Sequence, residues 1–316
     1  MPDRRFVLQS FLAAAAAPLL PVAAGAQTGP LPHIRIAITS ADNFAEGYFA
    51  QDAGFFAKAG LDVEIVGMTT GAQISAAVAG GAIDIGMSNT VQLVNAMTHG
   101  APFVIVGSGG LYSNAAPNSA LVVAKDSLLR TARDLEGKTV AVTALKDLTQ
   151  IGPAAWMLHN GADPTKTRFV EIPFVEVPAA LERGTVDAGM LAEPWLTAAN
   201  GTAVRVFAHV FSDIAPYFVL SPWFSTTDYY RANTDLVRRF TRVMYDTARW
   251  ANAHHTETAA ILAKYAKIDI SVIGRMQRSA FATSFDPSQF QPVLTAMYKF
   301  GAIDKPLQAD AILAKY

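Results

Sequence analysis

The sequence lacks cysteine altogether, although it has 316 residues. This absence excludes disulfide bonds, thiolate nucleophiles, cysteine-bound iron–sulfur clusters and thiolate zinc sites. It also excludes a lipoprotein anchor, because the lipid is attached to a cysteine at the cleavage site of the export signal.

An excess of charge is also missing. The 25 lysine and arginine residues nearly balance the 26 aspartate and glutamate residues, and they form no basic cluster. Because nucleic-acid binding depends on a basic surface, we expect no nucleic acid among the partners. After residue 26, no segment stays apolar over the roughly 20 residues that a membrane-spanning helix needs.

Motifs of catalysis and metal binding are absent as well. The six histidines are scattered, apart from the adjacent pair His254 and His255, whose side chains diverge on a helix and cannot share one ion. The sequence has no Gly-x-Ser-x-Gly elbow, no phosphate-binding P-loop and no Rossmann glycine signature. We therefore expect no metal, no cofactor, no catalytic residue and no enzymatic activity.

The first 26 residues have the pattern of an export signal. Arg4 and Arg5 precede the apolar stretch Phe11–Leu20, and a small-residue cleavage site follows at Ala24–Ala26. We expect cleavage after Ala26, leaving a soluble mature chain. The paired arginines resemble a twin-arginine signal, and Sec export is the alternative. Export without a lipid anchor favours the periplasm of a Gram-negative cell.

The rest of the chain alternates between β-rich runs and helical stretches, which is typical of an α/β fold with mainly parallel sheets. One pattern occurs twice, as Gly81–Met87 and as Gly184–Met190. A repeat of this kind indicates two similar halves. Ligands of open α/β sheets bind at the carboxyl ends of strands, so we expect the loops that follow the two copies to line one cleft.

Several segments together resemble one known family. Residues 50–63 are similar to the family pattern A-x-x-x-G-F-F-x-x-x-G-L-D-V, and they are followed by Gly81–Gly86, Asp134–Val142 and the Glu193-Pro194 pair. In this order and spacing they resemble the ABC-importer binding proteins for nitrate, sulfonates, taurine and thiamine-precursor pyrimidines. The chain departs from that family in two ways: it is short for a nitrate or bicarbonate binder, and it lacks the cysteine-rich iron motif of the thiamine-pyrimidine synthases.

The resemblance implies a two-lobed type II periplasmic-binding-protein fold, in which each lobe is a mostly parallel sheet flanked by helices. Lobe 1 would comprise residues 27–120 and 217–316, with the C-terminal helices packed on it, and lobe 2 would comprise residues 121–216. It further implies a monomer that captures a small organic anion, such as a sulfonate, taurine or a carboxylate. The remaining partners would be the membrane permease and the ATPase of an ABC importer.

The candidate ligand-binding loops carry small hydroxyl or amide residues just before helical segments. Helix N-termini bind anions through free backbone N–H groups, without any need for arginine. We therefore expect ligand contacts from these loops, although each residue could equally be an ordinary helix cap. The loop residues are Ser40, Asp42, Asn43, Thr70, Gly71, Ser88, Asn89, Thr143 and Thr149.

Larger side chains are expected to complete the pocket. Phe44, Trp195 and Tyr217 could form its apolar wall, although Phe44 also has the spacing of a core residue. Glu193 could accept a hydrogen bond from an amino or pyrimidine group, pair with Lys146, or form part of a hinge. These choices stay open at the level of sequence.

Three alternatives to anion transport remain. One is an enzyme on the same fold, such as a dehydratase or a pyrimidine-forming protein, although the leader argues against a cytoplasmic enzyme and the iron-dependent type would need cysteines. Another is a binder of an amino-pyrimidine thiamine precursor. The third is a periplasmic sensor or partner-binding module.

Overall fold

The structure, a computed structural model, describes residues 31–316. The predicted export signal and its cleavage site at Ala26 lie outside the described residues, so both stay predictions. Within residues 31–316, no helix combines the length and the apolar character needed to cross a membrane.

Strands and helices alternate along most of the chain. The strands are β1 His33–Ile38, β2 Asp62–Gly67, β3 Ile85–Met87, β4 Phe103–Ser113, β5 Ser119–Ala124, β6 Thr139–Val142, β7 Arg168–Glu171, β8 Ala188–Ala192, β9 Val204–Ala208, β10 Tyr217–Thr226 and β11 Ala280–Phe281. The helices are α1 Glu46–Asp52, α2 Phe55–Lys58, α3 Gly71–Ala79, α4 Thr90–Thr98, α5 Leu148–His159, α6 Val177–Glu182, α7 Trp195–Ala199, α8 Thr227–Ala232, α9 Thr234–Ala253, α10 His255–Ala266, α11 Ile270–Ile273 and α12 Gln291–Lys299.

The strands form two sheets. The first has the order β11-β4-β10-β3-β1-β2 and the second the order β7-β6-β8-β5-β9. In the first sheet β1 runs parallel to β2 and β3, and in the second β6 runs parallel to β7 and β8. The predicted α/β fold with two lobes is confirmed. Both sheets are mixed rather than mostly parallel, because β10 and β5 pair antiparallel with their neighbours.

Strand β1 lies between β3 and β2 inside the first sheet, and apolar clusters bury its side chains. Ile34, Ile36 and Ile38 are buried in one apolar cluster, whereas Ala37 belongs to another. Successive side chains of a strand point to opposite faces, so β1 is covered on both faces. The sequence of a strand that is buried on both faces is a nearly continuous apolar run. In β1 only His33 and Arg35 interrupt this run.

The sequence repeat corresponds to the same local structure in both sheets. Asp84 accepts a hydrogen bond from the backbone N–H of Arg35 (2.8 Å), and Asp187 accepts one from the backbone N–H of Thr139 (2.9 Å). Each aspartate thus holds the turn before its own strand against a parallel neighbour. This shared role explains why the aspartate stands at the same place in both copies.

The chain passes between the sheets twice. Residues 114–118 connect β4 to β5, and residues 209–216 connect β9 to β10. Both crossings fall next to the predicted lobe boundaries, and the boundaries themselves remain a proposal. Aromatic packing joins the crossings, since the Tyr112 ring lies 5.6 Å from Phe211 and 5.1 Å from Phe218, centroid to centroid.

The C-terminal helices pack on the first sheet, as the resemblance implied. The long helix α9 buries a stripe at intervals of three or four residues, including Val237, Phe240, Met244 and Ala248. The indole ring of Trp223 on β10 meets the Phe240 ring at 5.2 Å in an edge-to-face arrangement. The last helix, α12, packs against both α4 and α5, so it contacts helices of both lobes.

Candidate functional site

A cavity of about 110 Å³ lies between the two sheets. Its lining comes from loops and strand ends on both sides: Ala41, Asn43, Phe44, Asn89 and Leu220 from the elements of the first sheet, and Ser119, Thr143, Asp147, Leu148, Thr149, Phe174, Met190, Ala192 and Phe211 from the elements of the second sheet and its connection to the first. Two larger surface cavities, of about 460 and 290 Å³, flank α5 elsewhere. We take the smaller one as the candidate site, because it receives strand ends from both sheets.

Asn89 follows β3 and is the cap of α4. Its side-chain oxygen accepts a hydrogen bond from the backbone N–H of Gln92 (2.8 Å). The capping role uses the oxygen only, so the amide nitrogen is free to donate elsewhere. It donates to Oδ2 of Asp147 across the cleft (3.3 Å).

Asp147 is the cap residue of α5, and its side chain is almost completely buried, with 2% of the residue exposed. Oδ2 accepts hydrogen bonds from Asn89 and from the Thr143 hydroxyl, both at 3.3 Å. Within residues 31–316, Oδ1 is buried and has no hydrogen-bond partner. Burial raises the pKa of Asp147 to about 6, although the N–H of Leu148 and the Thr143 and Asn89 groups act in the opposite direction.

The loop that presents Asp147 is held by two threonines. Thr149, in the first turn of α5, accepts a hydrogen bond from the backbone N–H of Thr143 (3.0 Å), and the two hydroxyls lie 2.9 Å apart. Between them, Lys146 adopts a left-handed backbone conformation with φ of 57°. This conformation is uncommon for a residue other than glycine, which indicates that the surrounding contacts fix the loop.

The loop after β1 reaches the cavity by packing closely against Gly110 of β4. The carbonyl oxygen of Asn43 accepts a hydrogen bond from the Ser221 hydroxyl (2.6 Å). A Cβ atom on Gly110 of β4 would overlap both the Asn43 oxygen and the Ser221 hydroxyl. Glycine at this position therefore allows the loop to sit against the sheet and present Asn43 and Phe44 to the cavity.

The structure brings some of the predicted site residues together and separates others. The predicted residues in the cavity lining are Asn43, Phe44, Asn89, Thr143 and Thr149. The predicted residues outside the lining are Ser40, Asp42, Thr70, Gly71, Ser88, Glu193, Trp195 and Tyr217. Direct contact of any of these residues with a ligand remains a prediction.

Several of the residues outside the lining have structural partners. Asp42 forms a buried ion pair with Arg278 (Nη2 to Oδ1, 2.9 Å). The Thr70 hydroxyl caps α3 by accepting from the Gln73 N–H at 3.2 Å. Glu193, whose peptide bond to Pro194 is cis, accepts hydrogen bonds from the N–H and hydroxyl of Thr197 at 3.0 and 2.7 Å.

The other residues outside the lining lie near it or at the surface. Ser88 is fully buried, and a Cβ on Gly71 would overlap its hydroxyl, so Ser88 and Gly71 pack against each other. The Trp195 ring lies 5.8 Å from the ring of Phe174, which itself lines the cavity. Tyr217 is exposed at the start of β10, and Ser40 is half-buried.

Sequence reasoning missed Asp147, although a signal was available. The residue stands directly before the apolar helical segment that begins at Leu148, and aspartate at that point is a typical helix cap. The apolar lining residues Phe174, Met190, Phe211 and Leu220 had no such signal, because nothing local separates them from ordinary core residues.

The described residues offer no metal centre. Among residues 31–316, no group of three histidine, aspartate or glutamate side chains is placed to hold an ion.

This chain is similar in sequence to one protein family and to several known proteins. A family model described as NMT1/THI5 like matches residues 41–258. The chain is 35% identical over 142 residues to a Haemophilus influenzae protein whose name assigns it to thiamine biosynthesis, and that match covers 44% of this chain and 42% of the relative. It is 21% identical over 307 residues to the Bacillus subtilis binding protein YtlA, covering 93% of this chain and 91% of YtlA.

Solved structures share the fold. The alkanesulfonate-binding protein SsuA of Xanthomonas axonopodis pv. citri, bound to MOPS, is 17% identical with a TM-score of 0.75, and the match covers 92% of this chain and 100% of SsuA. The periplasmic nitrate-binding protein NrtA of Synechocystis PCC 6803 is 15% identical with a TM-score of 0.73, over 89% of this chain and 85% of NrtA. The desulfurization enzyme DSZB is 15% identical with a TM-score of 0.67, over 90% of this chain and 96% of DSZB. This fold therefore occurs in solute-binding proteins and in at least one enzyme.

Proposed function

Because the chain belongs to the NMT1/THI5-like family and has the periplasmic-binding-protein fold, we propose that it is the solute-binding component of an ABC importer. The observation that carries this proposal is the cavity whose lining is shared by both lobes. A solute held there would contact both lobes at once. We propose that the protein works as a monomer in the periplasm and delivers its solute to a membrane permease driven by an ATPase.

Closure of the lobes supplies the mechanism. An open form would capture the solute, and contacts from both lobes would shift the population toward a closed form that the permease recognises. Only a solute with higher affinity for the closed form can drive this shift. The crossing at Asn118 is a candidate hinge: its side-chain nitrogen donates to the Ser279 hydroxyl (2.8 Å), and its carbonyl accepts from the N–H of Glu193 (2.9 Å).

The proposed solute is a small organic molecule with an anionic end, such as a sulfonate or carboxylate. Support comes from the N-terminal ends of α4 and α5, whose cap residues Asn89 and Asp147 both line the cavity. The volume supports a small solute, because pockets for drug-sized ligands measure roughly 300–1,000 Å³. No lysine, arginine or histidine is among the lining residues of the described chain, so backbone N–H groups would have to hold the anion.

A retained solute provides the first test. Native mass spectrometry of freshly purified protein should detect a bound small molecule, and thermal-shift screening of sulfonates, carboxylates and amines should then identify stabilising compounds. A ligand that binds only the folded state stabilises it by about 2.7 kcal/mol at a hundredfold excess over its dissociation constant. Absence of any stabilising compound in these classes would contradict the proposal.

A second candidate is an enzyme on the same fold. It is favoured by one observation, namely the buried carboxyl group of Asp147 in the cavity, whose pKa is raised to about 6 and so suits a general base near neutral pH. Turnover of a bound compound by purified protein, abolished by Asp147→Asn, would establish this alternative. Unchanged compound after prolonged incubation would favour transport.

A further inference from the structure

We propose that Asp147 determines specificity by accepting a hydrogen bond from an amino group of the solute at Oδ1. The inference rests on the proposed function and narrows its solute class to compounds that carry a primary amine or an amino group on a ring. The two oxygens of this carboxyl group have different surroundings.

The two carboxylate oxygens of Asp147 differ in their hydrogen-bond donors. Oδ2 has donors on both sides, Asn89 and Thr143, each at 3.3 Å. Oδ1 is buried, and no donor within residues 31–316 reaches it. Buried polar groups are nearly always hydrogen-bonded, so an unpaired carboxylate oxygen beside a cavity indicates a missing donor. The Leu148 N–H of α5 lies close enough to lower the pKa of the carboxyl group, but the Asp147 side chain makes no capping hydrogen bond with the α5 backbone, so this N–H does not fill the place of the missing donor.

The Asp147 carboxyl group has no basic partner in the cavity lining. The lining includes no lysine, arginine or histidine. The neighbouring Lys146 lines a different cavity, the one of about 290 Å³ beside α5. A cationic or amino N–H of the solute would therefore meet Asp147 without competition from a protein cation.

The surroundings of Asp147 also limit what the rest of the solute can be. The other polar side chains near Asp147 already have partners: Asn89 bonds Gln92 and Asp147, and the Thr143 and Thr149 hydroxyls bond each other. The remaining wall is largely apolar, formed by Phe44, Phe174, Met190, Phe211 and Leu220. The cavity thus fits a compact carbon body with an amino group directed at Asp147, and any anionic end would lie near the helix N-termini.

Matched pairs of probes test the amino group directly. Taurine and propane-1-sulfonate differ by an ammonium group in place of a methyl group, and 2-aminopyrimidine and 2-methylpyrimidine, both uncharged at neutral pH, differ by an amino group in place of a methyl group. Titration calorimetry should give at least tenfold tighter binding for the amino member of at least one pair. The first pair reports on an ammonium group, and the second on an amino group attached to a ring.

Variants separate specificity from stability. Asp147→Asn should remove the preference for the amino member, whereas Asp163→Asn should keep it. Asp163 is a suitable control because it caps the short 3-10 helix Pro164–Lys166 in the same lobe and lies outside the cavity lining. Circular dichroism and thermal unfolding of each variant would check that it is folded.

The outcomes distinguish this inference from the proposed function. Equal affinity within both pairs, an unchanged preference in folded Asp147→Asn, or no binding by any amino probe at millimolar concentration would overturn the inference. If propane-1-sulfonate alone binds tightly and closes the lobes, the transport proposal stands and the amino-group inference fails. If no probe binds and no retained solute is found, both fail.

Discussion

Asn89 and Asp147 connect the two lobes across the cavity, with 3.3 Å between the amide nitrogen of the first and a carboxylate oxygen of the second. Each is also the cap residue of a helix, α4 for Asn89 and α5 for Asp147. The two helices that begin at the cavity are therefore joined at their N-terminal ends. A change in this hydrogen bond should alter both lobe closure and solute binding.

Exchanging the two side chains tests this connection. Asn89→Asp retains an oxygen that can cap α4, but it places two carboxylates against each other, so we expect the cleft to open and solute affinity to fall about tenfold or more. The double variant Asn89→Asp with Asp147→Asn restores a donor and an acceptor in reversed positions. With a saturating amount of solute, small-angle scattering should show an expanded single variant and a compact double variant. Equal dimensions for the solute-saturated wild type and single variant would contradict the prediction.

Glu46 predicts a pH dependence of stability. It is fully buried in α1, accepts a hydrogen bond from the Trp223 indole N–H (2.7 Å), and burial raises its pKa to about 8. The folded state therefore keeps a proton that the unfolded state releases, so the contribution of Glu46 to stability is full below about pH 4.5 and is lost as the pH rises to about 8.

Replacing Glu46 isolates this effect. Glu46→Gln keeps a neutral acceptor for Trp223 but cannot titrate, so its stability relative to wild type should increase with pH over that window, by several kcal/mol in total. Urea denaturation of both proteins across this pH range measures the difference in their free energies of unfolding. The contributions of the other titrating groups cancel in that difference. Parallel pH profiles would show that Glu46 does not hold the proton.

The buried ion pair of Asp42 and Arg278 predicts a large stability loss when one partner is removed. The two side chains are 1% and 9% exposed, and Asp42 also accepts a hydrogen bond from the N–H of Ser279 (2.5 Å). Arg278→Met would leave a buried carboxylate without its cation, at a cost of about 3–5 kcal/mol. Urea denaturation would measure this change.

An exposed arginine gives the matched control. Arg238 pairs with Asp235 on the surface of α9, where the side chains are 44% and 97% exposed. Arg238→Met should cost less than about 1 kcal/mol, because exposed pairs contribute little. A comparable loss in both variants would mean that burial of the Asp42 pair is not what makes it important.

Gly110 predicts that the loop after β1 depends on close backbone contact. Gly110→Ala adds a Cβ that overlaps the Asn43 carbonyl oxygen, so we expect a loss of about 1–3 kcal/mol in stability together with weaker solute binding. Gly80→Ala, where the nearest atom lies at 3.3 Å, is the control and should change stability much less. Equal effects of the two substitutions would contradict the role assigned to Gly110.

Local patterns were sufficient to predict much of the fold. The alternation of β-rich runs with helical stretches predicted an α/β fold, and the repeated Gly-x-x-Asp segment predicted equivalent turns, which Asp84 and Asp187 form through the same type of hydrogen bond. The antiparallel pairing of β5 with β8 and β9, and of β10 with β3 and β4, was not predictable in this way. It follows from where the chain crosses between lobes, which is a property of the tertiary structure.

The site was only partly predictable because capping residues look alike in sequence. Asn89 and Thr70 both stand before helices and both cap them, yet only Asn89 lies in the cavity lining. Asp42 lies outside the cavity lining and pairs with Arg278, which is 236 residues away in the chain, and no local pattern reveals such a pair. Long-range pairing decides which capping side chains remain available to a solute.

The central claim is that a solute bound between the lobes closes them. Small-angle X-ray scattering of the purified protein, with and without a saturating amount of the tightest-binding compound from the screen, tests this claim most directly. We predict a smaller radius of gyration with the compound, and no such decrease for Asn89→Asp. An identical scattering profile with and without a tightly bound compound would contradict it.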